Sequence, residues 1–279
     1  MISTYHTVCH KCSEIVTNKY STSFSSAIRL LHKDLRRPIY DIYGFVRFAD
    51  EIVDTFHEHD KELLLKDFIA ETWKAIEQKI SLNPILQSFQ HVVHTYSIPH
   101  ELISAFLTSM EMDLHKSKYH SVEEINEYIY GSAEVVGLMC LSVFCEGNME
   151  LFEKLKEPAR KLGAAFQKIN FLRDIQADFN GLNRTYFPGM DLHHFDTGTK
   201  QRIEADIELD FKESINGIRN LPWKARFGVY TAYRYYYALF KKIKKLQPAN
   251  VMEQRIRVPD YQKAMIVMRA GVNNRFNLI

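Results

Sequence analysis

Two segments of the chain, residues 39–54 and 162–178, are largely apolar yet carry acidic residues at the spacing of an α-helix. Steps of three and four residues place one polar set on a single face of each helix, namely Tyr43, Arg47, Asp50 and Asp54 in the first and Gln167, Asn170, Asp174 and Asp178 in the second. Helices that are apolar on most sides are buried, and an unpaired buried charge is strongly disfavoured. We therefore expect two core helices whose acidic faces meet across one polar space.

The donor atoms along these two faces are carboxylate and amide oxygens, which suit a hard cation such as Mg²⁺ that shares its ligands with substrate phosphates. Either face alone is also compatible with a solvated helix, but that alternative predicts lysine and glutamate neighbours, whereas most neighbours here are apolar. Arg47 and Arg173 add guanidinium groups suited to phosphate oxygens. The pattern favours a site for Mg²⁺ ions that carry a diphosphate.

The rest of the sequence indicates an all-α protein. Only 11 Gly and 8 Pro occur among 279 residues, and no long run alternates apolar with polar residues. We predict one domain over residues 1–279 with roughly ten helices. Pro38 and Pro158 are expected near helix starts, because proline is tolerated in the first turn. Asn83 and Ser121 are expected to cap two further helices.

Charge and cysteine content narrow the function classes. The formal net charge of +2 gives no strong field for nucleic acid, so no nucleic-acid partner is expected. Cys9 and Cys12 form a lone CxxC without a second pair at zinc-finger spacing, and we interpret them as free thiols rather than a metal or redox site. No signal peptide is visible, which favours a cytoplasmic location.

Two segments bear on membrane contact. The apolar run 135–145 is shorter than the roughly 20 residues that a transmembrane helix needs, so it is predicted to be a core helix. Lysines alternate with apolar residues over 239–246, within a tyrosine-rich helix expected from Trp223 to Leu246. Lys241 to Lys245 fit either a solvated helix face or peripheral contact with anionic lipid.

Residues from about 17 to 270 resemble the squalene/phytoene synthase family. The resemblance is carried by the order and spacing of five elements, which are Tyr20–Phe24, Arg37–Asp54, Met110–Leu114, Tyr128–Gly137 and Gln167–Asp178 with its extension at 183–188. Three positions depart from the family pattern. Tyr20 fits only loosely the aromatic-or-His lead that the family usually has before the first serine, Glu51 replaces an aspartate of the first acidic motif, and Glu134 stands where glycine is usual.

The resemblance implies an all-α, single-domain bundle of the class I isoprenoid synthase type with a central cavity. It implies head-to-head condensation of two prenyl diphosphates, favouring two geranylgeranyl diphosphates joined to phytoene through a cyclopropylcarbinyl diphosphate with release of diphosphate. Dehydrosqualene or squalene synthesis from farnesyl diphosphate is the first alternative, and only squalene would require NADPH. A terpene cyclase and a non-catalytic assembly factor on the same fold are further alternatives. The oligomeric state is not indicated.

The resemblance also assigns roles to individual residues. Mg²⁺, with Mn²⁺ as a substitute, would be held by Asp50, Asp54, Asn170, Asp174 and Asp178. Catalytic roles would fall to the four aspartates of that set together with Arg47, Tyr43 and Tyr128, the two tyrosines facing the prenyl cation. The substrate-binding residues would be Ser21, Ser23, Phe24, Arg47, Gln167, Asn170, Arg173, Arg184, Tyr186, Tyr236 and Arg255.

Overall fold

The computed structural model describes residues 2–182, 185–188, 195–253, 256–275 and 279, and it describes side chains within these ranges except at 177–182 and 253. The chain is 83% helical, and the described residues contain no strand, which confirms the all-α prediction. A π-helical segment, Tyr130–Glu134, joins α7 to α8. The α-helices are α1 (Ile2–Tyr20), α2 (Thr22–Arg29), α3 (Lys33–Asp54), α4 (Lys61–Gln78), α5 (Pro84–Thr95), α6 (His100–His115), α7 (Val122–Ile129), α8 (Val135–Phe144), α9 (Met149–Leu182), α10 (Thr197–Asn220), α11 (Trp223–Lys244), α12 (Pro248–Glu253) and α13 (Asp260–Arg275). The division of the chain into one domain stays a prediction.

Side-chain caps fix several helix starts as the sequence predicts. Asn83 accepts hydrogen bonds from the backbone N–H groups of Ile85 and Leu86, at 3.1 and 3.4 Å, and Pro84 occupies the first turn of α5. Ser121 accepts a hydrogen bond from the Glu124 N–H at 3.2 Å at the start of α7. These contacts satisfy backbone donors that the first helical turn leaves unpaired.

The predicted positions of Pro38 and Pro158 at helix starts are wrong, because both prolines lie inside their helices. The turns that precede them are held by burial. Leu35 is fully buried before Pro38, and Phe152 and Leu155 are buried before Pro158. Burial of these side chains outweighs the backbone hydrogen bond that each proline removes.

A ring of helices surrounds the middle of the molecule. Around it, α3 packs on α8, α8 on α9, α9 on α11, α11 on α2, and α2 on α3. Within the described part of the chain, α3 and α9 do not pack closely against each other. The two helices that carry the acidic faces are therefore held on opposite sides of a shared space by their common neighbours.

The helix through α7, the π-helical segment and α8 forms one wall of this space. Within the described residues this helix, Val122–Phe144, is long and apolar enough to span a membrane by length and composition alone. More than half of its most apolar window is buried inside the protein, as in a core helix. A Cβ atom added to Gly163 of α9 would lie 2.9 Å from the carbonyl oxygen of Ala133, so glycine permits this wall to approach α9 closely.

Candidate active site

The first acidic face lies on α3, where the guanidinium group of Arg47 is surrounded by polar and aromatic partners. Arg47 donates a hydrogen bond to Glu51 and lies 3.9 Å from a carboxylate oxygen of Asp50. The guanidinium carbon also lies 4.4 Å from the ring centroid of Tyr20, at the end of α1. Arg47 is thus oriented at the edge of the acidic face by its contacts with Glu51 and Tyr20.

Asp50 is the most perturbed carboxyl group on this face. Protein atoms surround its carboxylate, and this burial, together with repulsion from Asp54 and Asp113, raises the pKa of Asp50 to about 7 despite the opposing attraction of Arg47. Its side chain nevertheless keeps about a third of its surface accessible (32%), as expected for a group that lines a cleft. A cation bound between the carboxylates would remove the repulsion that the ionised state carries.

Asp113 of α6 was not predicted to be a site residue, yet it lies close enough to Asp50 to raise that residue's pKa. Its carboxylate accepts a hydrogen bond from the Tyr128 hydroxyl group at 2.9 Å. The sequence feature that could have identified it is the family-like segment Met110–Leu114, which contains Asp113. The hydrogen bond places Tyr128 beside the first acidic face.

The second acidic face lies on α9. Asp174 receives a two-pronged contact from Arg173, whose Nε lies 3.1 Å from both carboxylate oxygens. One turn earlier, Asn170 accepts a hydrogen bond from the Tyr236 hydroxyl group of α11 at 3.3 Å, and Gln167 is half-buried. The side chain of Asp178 lies outside the described residues.

Two tyrosines link the two faces. Burial raises the pKa of Tyr43, with Asp50 and Tyr236 acting in the same direction and Ser21 and Arg47 opposing it. Burial also raises the pKa of Tyr236, and Arg173, Asn170 and Asp174 all act on that hydroxyl group. The Tyr43 and Tyr236 hydroxyl groups therefore lie in one electrostatic environment that reaches Asp50 on one side and Asp174 on the other.

Aromatic rings line the space beside these polar groups. Phe24 of α2 stacks on Tyr43 with ring centroids 4.9 Å apart, and Phe166 stacks on Tyr236 at 3.9 Å. A second aromatic group, buried near Asp113, consists of Tyr119, Tyr128, Phe171 and Tyr186. Within it, Phe171 and Tyr186 stack at 3.8 Å. Such rings exclude water and present π faces to a cation.

The structure gives fewer contacts for the remaining predicted substrate-binding residues. Ser21 caps α2 by accepting a hydrogen bond from the Phe24 N–H at 3.2 Å, which leaves it next to Tyr43. Ser23 is half-buried on the same helix. Arg184 and Arg255 lie outside the described residues. The catalytic, substrate-binding and metal-binding roles given to individual residues stay predictions.

The chemistry of these residues fits a magnesium ion that is shared with a substrate. In the described part of the chain, no three Asp, Glu, His or Cys side chains are grouped so that they could hold a metal ion by themselves. Mg²⁺ is usually bound by one or two carboxylates plus water and substrate phosphates. Asp50 and Asp54 on one side, with Asn170 and Asp174 on the other, supply such oxygen donors, and a bound cation would offset the repulsion that Asp54 and Asp113 exert on Asp50.

Two other clefts lie away from the acidic faces. One of about 410 Å³ is lined by Tyr230, Tyr233, Tyr237 and neighbouring residues of α10, α11 and α13. Another, of about 320 Å³, lies beyond the end of α3 near His57 and Leu114. Neither is lined by the predicted site residues.

Solved structures with this fold define the class. A dehydrosqualene synthase in complex with a ligand superposes with a TM-score of 0.83 at 21% identity, covering 97% of this chain and 98% of its own. A squalene synthase, HpnC from Alicyclobacillus acidocaldarius, has a TM-score of 0.73 at 21% identity and covers 86% and 93%. The fold is therefore that of the isoprenoid synthases, as predicted.

Sequence comparison identifies the family within that class. The squalene/phytoene synthase family matches residues 17–262, so the chain belongs to this family. Phytoene synthase from Arthrospira platensis is 25% identical over 284 residues, covering 93% of this chain and 91% of its own. The 4,4'-diapophytoene synthase of Staphylococcus haemolyticus (strain JCSC1435) is 27% identical over 203 residues, covering 71% and 67%. The protein is a prenyltransferase of the type that joins prenyl diphosphates head to head.

Proposed function

We propose that the enzyme condenses two molecules of geranylgeranyl diphosphate to phytoene, with release of diphosphate. One contact supports the site assignment: Tyr236 donates a hydrogen bond of 3.3 Å to Asn170 on α9, and the same hydroxyl group acts electrostatically on Tyr43 of α3, beside Asp50. Acidic groups on opposite sides of one space are suited to two phosphate-bearing substrates. The aromatic rings beside them are suited to the prenyl chains.

In this proposal Asp50, Asp54, Asn170, Asp174 and Asp178 would hold Mg²⁺, which would supply the positive charge that stabilises a departing diphosphate. Phe24 and Phe166 would contact the prenyl chains, since each stacks on a tyrosine that reaches the polar groups. Tyr128 would keep its ring towards the reacting carbons, because its hydroxyl group is held by Asp113. The buried aromatic group around it would keep water away from a carbocation.

The two arginines are engaged with carboxylates in a way that substrate binding would change. Arg173 contacts Asp174 at 3.1 Å, and Arg47 contacts Glu51 and lies near Asp50. The Asp174 oxygens that Arg173 contacts are among those that would hold the metal ion, whereas Arg47 is bound to Glu51 and lies 3.9 Å from Asp50. A diphosphate bound beside these carboxylates would offer its own oxygens to both guanidinium groups, whose planar geometry is suited to them.

Relatives support two substrate lengths. Phytoene synthases of Arthrospira platensis and of Mycobacterium bovis (strain ATCC BAA-935 / AF2122/97) align with 93% and 94% of this chain. The diapophytoene synthase and the structural likeness to a dehydrosqualene synthase favour farnesyl diphosphate as the second candidate substrate. A cytoplasmic location is part of the proposal, and NADPH would be required only if the product were squalene.

A competition assay tests the proposal directly. The purified enzyme is given equal concentrations of geranylgeranyl and farnesyl diphosphate with Mg²⁺, and extracted hydrocarbons are identified by mass. A C40 product supports the proposal, a C30 product supports the second candidate, and a cyclic terpene or no turnover contradicts both.

Site variants test the location of the chemistry. Asp50→Asn and Asp174→Asn should abolish turnover and leave the helical circular dichroism spectrum intact. Asp67→Asn, an exposed carboxylate on α4, is the matched control and should retain activity. Product formation near the wild-type level by Asp50→Asn or Asp174→Asn would contradict the site assignment.

A further inference from the structure

The helix α13 presents its most apolar face to solvent. Four large side chains recur at steps of four, three and four residues and are more than half exposed, namely Tyr261 (64%), Met265 (51%), Met268 (65%) and Val272 (54%). That spacing places them within one stripe along the helix, about 16 Å long at 1.5 Å per residue. Isolated exposed apolar residues are normal, whereas a continuous stripe of this kind usually marks an interaction surface.

The inner side of α13 uses only part of its apolar content. Among its residues only Ala270 is buried. Ile266 packs against the apolar core beside α11, and Asn273 donates a hydrogen bond of 3.0 Å to the Tyr230 hydroxyl group, while Lys263 lies 5.9 Å from the Tyr235 ring centroid. Packing on the core therefore accounts for Ile266 and Ala270, but it leaves the four side chains of the stripe exposed.

Basic residues border the exposed apolar stripe. The helix carries Lys263, Arg269 and Arg275 against a single acidic residue, Asp260, at its first position. Arg269 and Arg275 are exposed. An apolar face with cationic edges complements an anionic lipid surface, whose interface accepts apolar side chains below a layer of negative charge.

Lysines at the C-terminal end of α11 add positive charge near the start of α13. Lys242 donates a hydrogen bond of 2.7 Å to the backbone carbonyl of Arg257, two residues before Pro259 and the start of α13. Lys241 and Lys245 are exposed on the same end of α11. The hydrogen bond to Arg257 places Lys242 next to the Tyr261 end of the stripe.

We propose that the outer face of α13 docks on an anionic lipid bilayer, with Tyr261, Met265, Met268 and Val272 entering the interface and Arg269, Arg275 and the α11 lysines contacting lipid headgroups. This docking surface is separate from the acidic faces of α3 and α9 and does not depend on which prenyl diphosphate is the substrate.

The full-length protein is sedimented with vesicles of phosphatidylcholine alone and with vesicles of equimolar phosphatidylcholine and phosphatidylglycerol. The wild type should bind the anionic vesicles more tightly, and added salt should weaken that binding. The double variant Met265→Gln/Met268→Gln should bind the anionic vesicles about tenfold more weakly than the wild type, because two apolar side chains no longer enter the interface. Arg269→Gln/Arg275→Gln should lose the preference for anionic vesicles.

Leu82→Gln is the matched control, since Leu82 is 93% exposed and lies between α4 and α5. It should bind vesicles as the wild type does. Absence of wild-type binding to anionic vesicles, or equal binding by the methionine double variant, would overturn the proposal. So would a wild-type oligomer without vesicle binding that the methionine variant dissociates, because the stripe would then join two copies of the chain.

Discussion

Replacing Asp50 with asparagine should stabilise the metal-free protein while removing its activity. Burial and repulsion from Asp54 and Asp113 raise the pKa of Asp50 from 3.8 to about 7. At 1.36 kcal/mol per pH unit, the three-unit shift sets an upper limit of about 4 kcal/mol for the free energy by which the ionised group destabilises the fold. Because about a third of the side chain is accessible (32%), solvent screening reduces this to about 1–2 kcal/mol.

The sign follows from proton linkage. The native state binds the Asp50 proton more tightly than the unfolded state, so the stabilisation from this group is complete below the unfolded pKa and is lost as the pH rises through about 7. Asparagine never ionises, so the variant should gain more over wild type at about pH 8 than at about pH 5. For a chain of this size the gain corresponds to an increase in melting temperature of roughly 2–8 °C.

The assay is thermal unfolding by circular dichroism in EDTA at both pH values, with Asp67→Asn as the control for loss of an exposed carboxylate. Adding Mg²⁺ with inorganic diphosphate should raise the melting temperature of the wild type and raise that of Asp50→Asn much less. If Asp50→Asn melts at or below the wild-type temperature in EDTA at about pH 8, the repulsion inferred between these carboxylates is wrong.

Three further substitutions test local contacts. Tyr20→Leu should raise KM for the prenyl diphosphate about three- to tenfold, because Arg47 loses the ring beside it, whereas Tyr20→Phe should behave as wild type; equal KM values for the two variants would refute a positioning role. Gly163→Val should lower the free energy of unfolding in urea by about 1–3 kcal/mol, with Gly163→Ala intermediate, because a side chain there meets the π-helical segment; an unchanged urea midpoint would contradict that close approach. Arg160→Ala should lower the free energy of unfolding by about 1–2 kcal/mol, because it leaves the mostly buried carboxylate of Glu134 without its ion pair. The double variant Glu134→Ala/Arg160→Ala should recover part of that loss in the same measurement, whereas additive losses would show that the pair is not coupled.

Helical periodicity accounts for the part of the site that the sequence could predict. It relates residues within one helix, so the faces of α3 and α9 follow directly from the spacing of their polar residues. It cannot relate residues on different helices. Asp113 reaches Asp50 from α6, and Tyr236 reaches Asn170 from α11, 66 residues later. Tyr236 follows only from the family resemblance, and Asp113 lies in a family-like segment to which the resemblance assigns no role.

The prolines show a second limit. A proline was expected to begin a helix, since it lacks an N–H group and disturbs a helix interior. The structure instead continues α9 through Pro158. The proline ring packs against α10 at Gly217, where an added Cβ atom would lie 2.3 Å from the Pro158 Cβ, so glycine leaves room for the proline. Local propensity was outweighed by a tertiary contact that the sequence does not display.

The two glutamates that depart from the family pattern have a common physical explanation. At position 51 the longer side chain reaches back one turn and forms an ion pair with Arg47, which is then held beside Asp50 rather than bound to it. At position 134 the carboxylate replaces a position where glycine is usual, and its burial raises its pKa, but Arg160 of α9 lies 2.7 Å away and opposes that shift. In both cases the glutamate side chain is accommodated because an arginine lies within reach. A relative with aspartate at position 51 is therefore expected to need a different partner for Arg47. A relative with glycine at position 134 is expected to need a different partner for Arg160.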